Sequence, residues 1–281
     1  MSKKLVCFSE KELNSYNNLK LRVYKNWTSE MHEKKYDNYI NDIKSNLQLD
    51  YDDMNFKSSK FYRYVVLLFE KKDTQNIFRN YFSRFTRLSK SKLMNLCKNI
   101  DKIGKPVMIE TVLGVIDPAN VKYIYHAMEI LDRAKKLNLN NIDFIEIGGG
   151  YGGLAYFIKH ISKFEYYDIK INSYTIFDLP EAGKLQKRIS DYYNLDLIIA
   201  DVNKDFTIQD NSFLISNYAF SEIGKKHKNL YMEKVFPYVS HGLLTWNVNA
   251  FDINYFENVK ADVIEIPYRE QFRNYDLRVI F

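Results

Sequence analysis

The stretch FIEIGGGYGGLAYF, Phe144 to Phe157, constrains the fold of this chain more than any other. Gly148, Gly149, Gly150, Gly152 and Gly153 lie within six positions and make up half of the ten glycines in 281 residues. An apolar run of strand type leads into them, and an apolar run of helix type leaves them. Glycine adopts backbone conformations that a Cβ forbids and lets other groups approach the main chain closely. A strand turning through glycines into a helix brings bare amides and a helix N-terminus to one sheet edge. Open α/β sheets bind nucleoside-bearing and anionic ligands at that edge.

The rest of the chain supports such a sheet. Beyond Asn141 the segments NIDFIEIG, INSYTIFDLP, LDLIIADV, NSFLISN and GLLTWNVN read as strands. YGGLAYFIKHISKF, EAGKLQKRISDYYN and GKKHKNLYMEKVFPYV lie between them and read as helices. This alternation predicts right-handed crossovers and a largely parallel, doubly wound sheet. ADVIEIPYREQFRNYDLRVIF has no helix between its two strand-like halves, which predicts an antiparallel edge. DPAN at Asp117–Asn120 reads as a helix start, with Asp117 as cap and Pro118 in the first turn. Upstream, KFYRYVVLLFEKK and NIFRNYFSRFTRLSKSKLMNLCKNI read as helices with aromatic faces, and Gly104 and Pro106 interrupt them. The predicted division is a helical N-terminal region, residues 1–103, and an α/β ligand-binding domain, residues 104–281.

Charge is unevenly spread. Residues 1–100 hold 20 Lys and Arg against 11 Asp and Glu, a net of +9; the remainder hold 21 against 24, a net of −3. A basic N-terminal region suits a nucleic acid, an anionic membrane surface or a phosphate-bearing substrate, or is simply a set of solvated helix faces. Cys7 and Cys97 are too few for a disulfide framework or a thiolate metal site. The N-terminus has no signal-like apolar stretch and no run reaches membrane-spanning length, so the expectation is a cytoplasmic protein. No paired Asp or His spacing calls for a metal, and the Asp52–Asp53 pair reads as surface.

Two cofactor classes fit the glycines. Gly148, Gly150 and Gly153 satisfy G-x-G-x-x-G, the dinucleotide fingerprint. Glu146, Gly148, Gly150 and Gly152 equally satisfy E-x-G-x-G-x-G, the first motif of S-adenosylmethionine-dependent methyltransferases. The surroundings favour the second. A helical region precedes the motif, and about 130 residues follow it. Asp178, the carboxylate closing the next strand, lies 30 residues past Gly148, farther than the dinucleotide spacing of about 20. Asp178 can accept both hydroxyls of a ribose or start a turn. Asp201, closing the third strand, stands where methyltransferases reach adenine, or caps a loop.

EIGGGYGGLA, IFDLPEA and LISNYAFSEI, in that order, resemble the family of sugar O-methyltransferases, over about residues 104–281. The resemblance implies a Rossmann-like fold with a seven-stranded sheet, S-adenosylmethionine as cofactor, and methylation of a sugar hydroxyl on a nucleotide-linked or phosphorylated precursor of a surface polysaccharide. It implies a cofactor pocket of Glu146, Gly148, Gly149, Gly150, Tyr151, Gly152, Asp178, Leu179, Asp201, Val202 and Asn217. No membrane span is expected; nucleic acid is the less favoured partner, and a homodimer is allowed.

A sugar hydroxyl is a weak nucleophile, so a general base is expected where the methyl group arrives, at the carboxyl end of the fourth strand. SNYAFSEIG stands there. Glu222 is the first candidate base, or else a first-turn carboxylate favoured by the helix dipole. His126, on the apolar flank of the preceding helix, is the alternative base or a packed core residue. Tyr218, Trp246 and Asn247 are expected to meet the acceptor, with Asn249 beside them. Rival functions are an RNA methyltransferase using the basic region, an NAD-dependent dehydrogenase, and a binding protein that retains the motif without chemistry. Against the RNA function, no RNA-binding motif and no D/N-P-P-Y signature occurs in the chain.

Overall fold

The computed structural model describes residues 29–62, 74–75, 77, 85–247, 261–265 and 276–281, with the backbone alone for 29–36, 247, 262–265 and 276–277. Helix α1, Ser29–Asn46, is followed by a short 3-10 turn at Phe56–Ser58 and a helical turn at Lys60–Tyr62. Helix α2, Lys90–Ile100, starts where the Ser89 side chain accepts the Lys92 amide. A two-stranded hairpin of β1, Ile109–Thr111, and β2, Gly114–Ile116, comes next. Helix α3, Pro118–Lys136, opens as its sequence signals: the Asp117 carboxylate accepts the Ala119 amide and Pro118 fills the first turn.

The α/β core then runs β3, Asn141–Ile147; α4, Gly153–Ile161; β4, Lys170–Phe177; α5, Pro180–Tyr193; β5, Ile198–Ala200; and β6, Ser212–Asn217. It continues with the four-residue helix α6, Ala219–Glu222; α7, Lys225–Lys234; β7, Val239–Asn247; β8, Asp262–Glu265; and β9, Asp276–Ile280. The seven-stranded sheet has the order β5-β4-β3-β6-β7-β9-β8. β3 to β7 pair in parallel, while β9 lies antiparallel between β7 and β8. This is the predicted Rossmann-like α/β architecture with its antiparallel edge; the turn between β8 and β9 lies outside the described residues. Strand order reverses between β3 and β6, both central, so the crevice of such a sheet opens at their carboxyl ends.

Strand alternation divides the sheet into two packed faces. Phe144, Tyr174, Ile176, Phe213, Ile215 and Leu243 face the side covered by α3, α4 and α5. Ile145, Ile147, Phe177, Leu214, Leu244, Trp246 and Val279 face the side covered by Phe220, Tyr231, Val235 and Phe236. The first cluster also contains Tyr39, Phe56, Tyr62, Leu93, Cys97 and Ile103, so one continuous core joins the N-terminal helices to the α/β sheet. Of the predicted N-terminal helices, the parts at 63–73, 76 and 78–84 lie outside the described residues, as does Cys7.

Candidate functional site

The glycine loop leaves β3 with Gly148 at φ +77°, Gly150 at +59° and Gly152 at +91°, the left-handed region that glycine occupies without steric cost. A Cβ on Gly148 would sit 2.0 Å from the Ala219 Cβ, so this glycine lets the start of α6 lie against the loop. Ser216 fixes that approach: its hydroxyl donates to the Ile147 carbonyl at 2.8 Å and accepts the Phe220 amide at 3.0 Å. The Gly148 amide donates to the Phe177 carbonyl, which brings the ends of β3 and β4 together.

Asp178 stands at that junction. Its carboxylate accepts the Leu179 amide at 2.8 Å and the Gln186 side-chain amide at 2.7 Å, and the nearby Gly149 and Gly150 amides help to favour its ionised form. Burial raises its pKa to about 6, against the pull of those donors. Gln186, absent from the sequence-derived set, also donates to the Gly150 carbonyl at 2.9 Å. Leu179 is an exposed apolar residue beside it. Glu146, on β3 two residues before Gly148, is buried and accepts a 2.8 Å hydrogen bond from the Tyr174 hydroxyl. Burial pushes its carboxyl to about 8; the Tyr174 bond lowers it and the Asp178 charge raises it.

Asp201 closes β5 in a tight turn, accepting both the backbone and side-chain amides of Asn203, and the Asn203 amide is the main reason its pKa is lowered. Its neighbour Val202 is packed in the core. At the end of β6, Asn217 accepts from the Thr245 hydroxyl, and Tyr218 has φ +68°, ψ −35°, unusual for a residue with a side chain. The Tyr218 amide is tied to the Thr245 carbonyl, and Lys122 of α3 lies 4.7 Å from its ring centroid. Glu222 is half-buried at the end of α6. The carboxyl ends of β3, β4, β5 and β6 therefore carry Glu146, the glycines, Asp178, Leu179, Asp201, Asn217 and Tyr218 on one edge of one sheet.

Three candidates are packed in the core. Tyr151 points down into the core shared with the N-terminal region, against Phe56, Tyr62 and Tyr123, with the Lys57 ammonium 4.7 Å from its ring centroid. Trp246 is wholly buried against Phe220 and under Lys228, on the strand face opposite Thr245. His126 is buried on α3; its Nδ1 lies 2.8 Å from an Arg278 guanidinium nitrogen, and the same guanidinium meets Glu129 at 2.6 Å. Arg278 can only donate, so His126 Nδ1 is the acceptor and its lone pair is engaged. Burial, then the charges of Arg278 and Lys122, hold the His126 pKa well below the ordinary value. A ring so placed accepts from Arg278 through Nδ1 and packs as a core residue of α3. The Asn247 side chain and Asn249 lie outside the described residues.

Beneath the loop, Lys57 is almost fully buried. Its ammonium donates to the Ile100 carbonyl at 2.8 Å and lies 3.7 Å from Asp101. Asp101 in turn accepts from Asn120 and from the Asp117 amide. This knot ties α2, the start of α3 and the Tyr151 ring into one unit. Among the described residues no group of three or more His, Cys, Asp or Glu is placed to hold a metal ion, and no helix is long and apolar enough to cross a membrane.

No protein-family model matches the chain, and no curated protein matches it. Solved structures with a similar course include a Thermoplasma acidophilum protein at 18% identity and TM-score 0.41, over 68% of this chain and 95% of that one. A second is an S-adenosylmethionine-dependent methyltransferase of Clostridium acetobutylicum, at 10% identity and TM-score 0.35 over 50% and 56% of the two chains. A third is TrmK of M. capricolum, bound to its cofactor product S-adenosyl-homocysteine, at 10% identity and TM-score 0.37 over 53% and 66%. Likeness of this order assigns no activity to this chain.

Proposed function

We propose that this chain is an S-adenosylmethionine-dependent O-methyltransferase acting on a sugar hydroxyl, with the sugar carried on a nucleotide or phosphate. The observation that carries the cofactor is the union, at one sheet edge, of the E-x-G-x-G-x-G loop of β3 with Asp178 of β4. The residues there fit an S-adenosylmethionine molecule: glycine backbone that a ligand can approach, an acidic side chain for ribose hydroxyls, and an exposed Leu179 beside it. When bound, the cofactor would supply an activated methyl group for an acceptor oxygen. The chain's part is mainly positioning. Tyr218 and Asn217 form the wall at the end of β6, and Glu222 takes the hydroxyl proton as the acceptor oxygen is alkylated.

A second acceptor is favoured by one observation. A groove of about 720 Å³ between α1 and α5 is lined by Lys44, Lys184, Lys187 and Arg188 against a single carboxylate, Glu181. Such a surface also suits the phosphate backbone of RNA. One assay separates the two: transfer of labelled methyl from S-adenosylmethionine to a panel of sugar nucleotides and, in parallel, to transfer RNA. Label in a sugar nucleotide supports the sugar acceptor; label in RNA alone replaces it. Label in neither, with the cofactor bound, favours a protein that has kept the motif without this chemistry.

A further inference from the structure

We propose that Gln186 is a positioning residue for the nucleoside site, holding the Asp178 carboxylate in place for the ribose of the ligand. The inference rests on the cofactor proposed above and concerns a residue that no motif marks. An ionised carboxylate offers about four acceptor sites. In Asp178 two hydrogen-bond donors meet them, the Leu179 amide at 2.8 Å and the Gln186 side-chain amide at 2.7 Å, and the nearby Gly149 and Gly150 amides favour its ionised form. A ribose brings two further hydroxyl donors, which the remaining acceptor sites can take if the carboxylate is held facing them.

The groups around the carboxylate are not equally free to move. The Gly149 and Gly150 amides belong to a loop that turns through glycines, where small rotations are permitted. Gln186 is anchored from outside that loop, on the second turn of α5, with no exposure to solvent. Its nitrogen reaches both the Asp178 carboxylate and the Gly150 carbonyl. Both partners are acceptors, which fixes which end of the amide is nitrogen. A Cβ on Gly149 would lie 3.4 Å from the same nitrogen and 2.7 Å from Ile176, so the loop closes directly over this side chain. The Gln186 oxygen is buried and meets no hydrogen-bond donor among the described residues. One end of the amide thus sets the carboxylate and the loop, while the other leaves an acceptor at the loop.

The test is the pH profile of S-adenosylhomocysteine binding in the wild type and in Gln186→Met, which keeps the length and removes the donor. Wild-type affinity is expected to fall as Asp178 protonates, around pH 6. Losing a donor to the ionised form raises that midpoint by about one pH unit. At pH 8.5, where Asp178 is ionised in both proteins, affinities stay within about threefold. An unmoved midpoint, or an equal loss at every pH, overturns the inference, since a merely structural role weakens binding uniformly. In parallel, the Asp178 carboxyl is titrated by NMR in the ligand-free proteins. An upward shift in Gln186→Met there, with no S-adenosylhomocysteine binding by the wild type, would sink the cofactor and leave the positioning contact standing. No shift there would sink the contact itself. Should Gln186→Met not fold, Gln186→Glu keeps the shape and removes the donor when ionised.

Discussion

Replacing Glu146 by Gln should stabilise the ligand-free protein, by an amount that grows with pH. Glu146 is buried at the end of β3, with the Tyr174 hydroxyl as its hydrogen-bond partner. Its carboxyl titrates at about 8 in the folded chain against an ordinary value of 4.5, because burial disfavours the anion. The folded state therefore holds the proton more tightly than the unfolded state. The stability this contributes is complete below pH 4.5 and is lost as pH rises towards 8. Each pH unit in that window costs the wild type about 1.4 kcal/mol. Gln cannot ionise and can still accept from Tyr174, so the variant avoids the loss. The two proteins should be nearly equal at pH 4.5 and differ by about 3 kcal/mol at pH 7, a Tm difference of about 6 °C for a chain of this size. The raised Asp178 carboxyl adds a slope of the same sign between 3.8 and about 6, but it is present in both proteins and largely cancels. Urea denaturation at half-unit steps from pH 5 to 8 checks the difference. A gap between the two proteins that stays constant across that range refutes the buried, proton-holding carboxyl.

Gly148→Ala should cost about 2–4 kcal/mol, from the clash with the Ala219 Cβ and from φ +77°, and a second change, Ala219→Gly, should return part of it in thermal melts. Asp101→Ala should destabilise by about 3–5 kcal/mol, because it strips the buried Lys57 ammonium of its carboxylate. Lys57→Met should cost less, and equal losses in chemical denaturation would count against a buried ion pair there. Asp178→Asn should weaken S-adenosylhomocysteine binding at pH 8 about tenfold or more by calorimetry while leaving the far-ultraviolet dichroism unchanged. Glu222→Ala, assayed with an acceptor that the wild type methylates, should lower kcat and leave cofactor affinity within about twofold; full activity would take Glu222 out of the chemistry.

The glycine turn was legible because its message is local: a strand-type run, five glycines and a helix-type run leave few conformations open. The same holds for the Asp117–Pro118 start of α3 and for the antiparallel edge, whose two strand-like runs follow each other in the sequence without a helix-type pattern between them. What local pattern could not carry was direction. Tyr151 sits among the glycines yet faces Phe56 and Tyr123, because the core it joins is built from residues 28 to 95 positions away. Lys57 and Asp101 meet across 44 positions for the same reason. Gln186 reads as one more polar residue of an amphipathic helix; only the fold turns it towards Asp178. The burial of Trp246 did leave a signal: Leu244 and Trp246 alternate with Thr245 and Asn247, so a strand with an apolar inner face must bury the tryptophan. The β1–β2 hairpin left none of use, since strands of three residues are too short for periodicity.

Calorimetric titration of the purified chain with S-adenosylhomocysteine, with NAD and NADP run alongside, tests the proposed cofactor most directly. Micromolar binding of S-adenosylhomocysteine, lost in Gly150→Val, with no heat from either dinucleotide, is the predicted result. Binding of a dinucleotide without S-adenosylhomocysteine would contradict it and reassign the glycine loop to hydride chemistry.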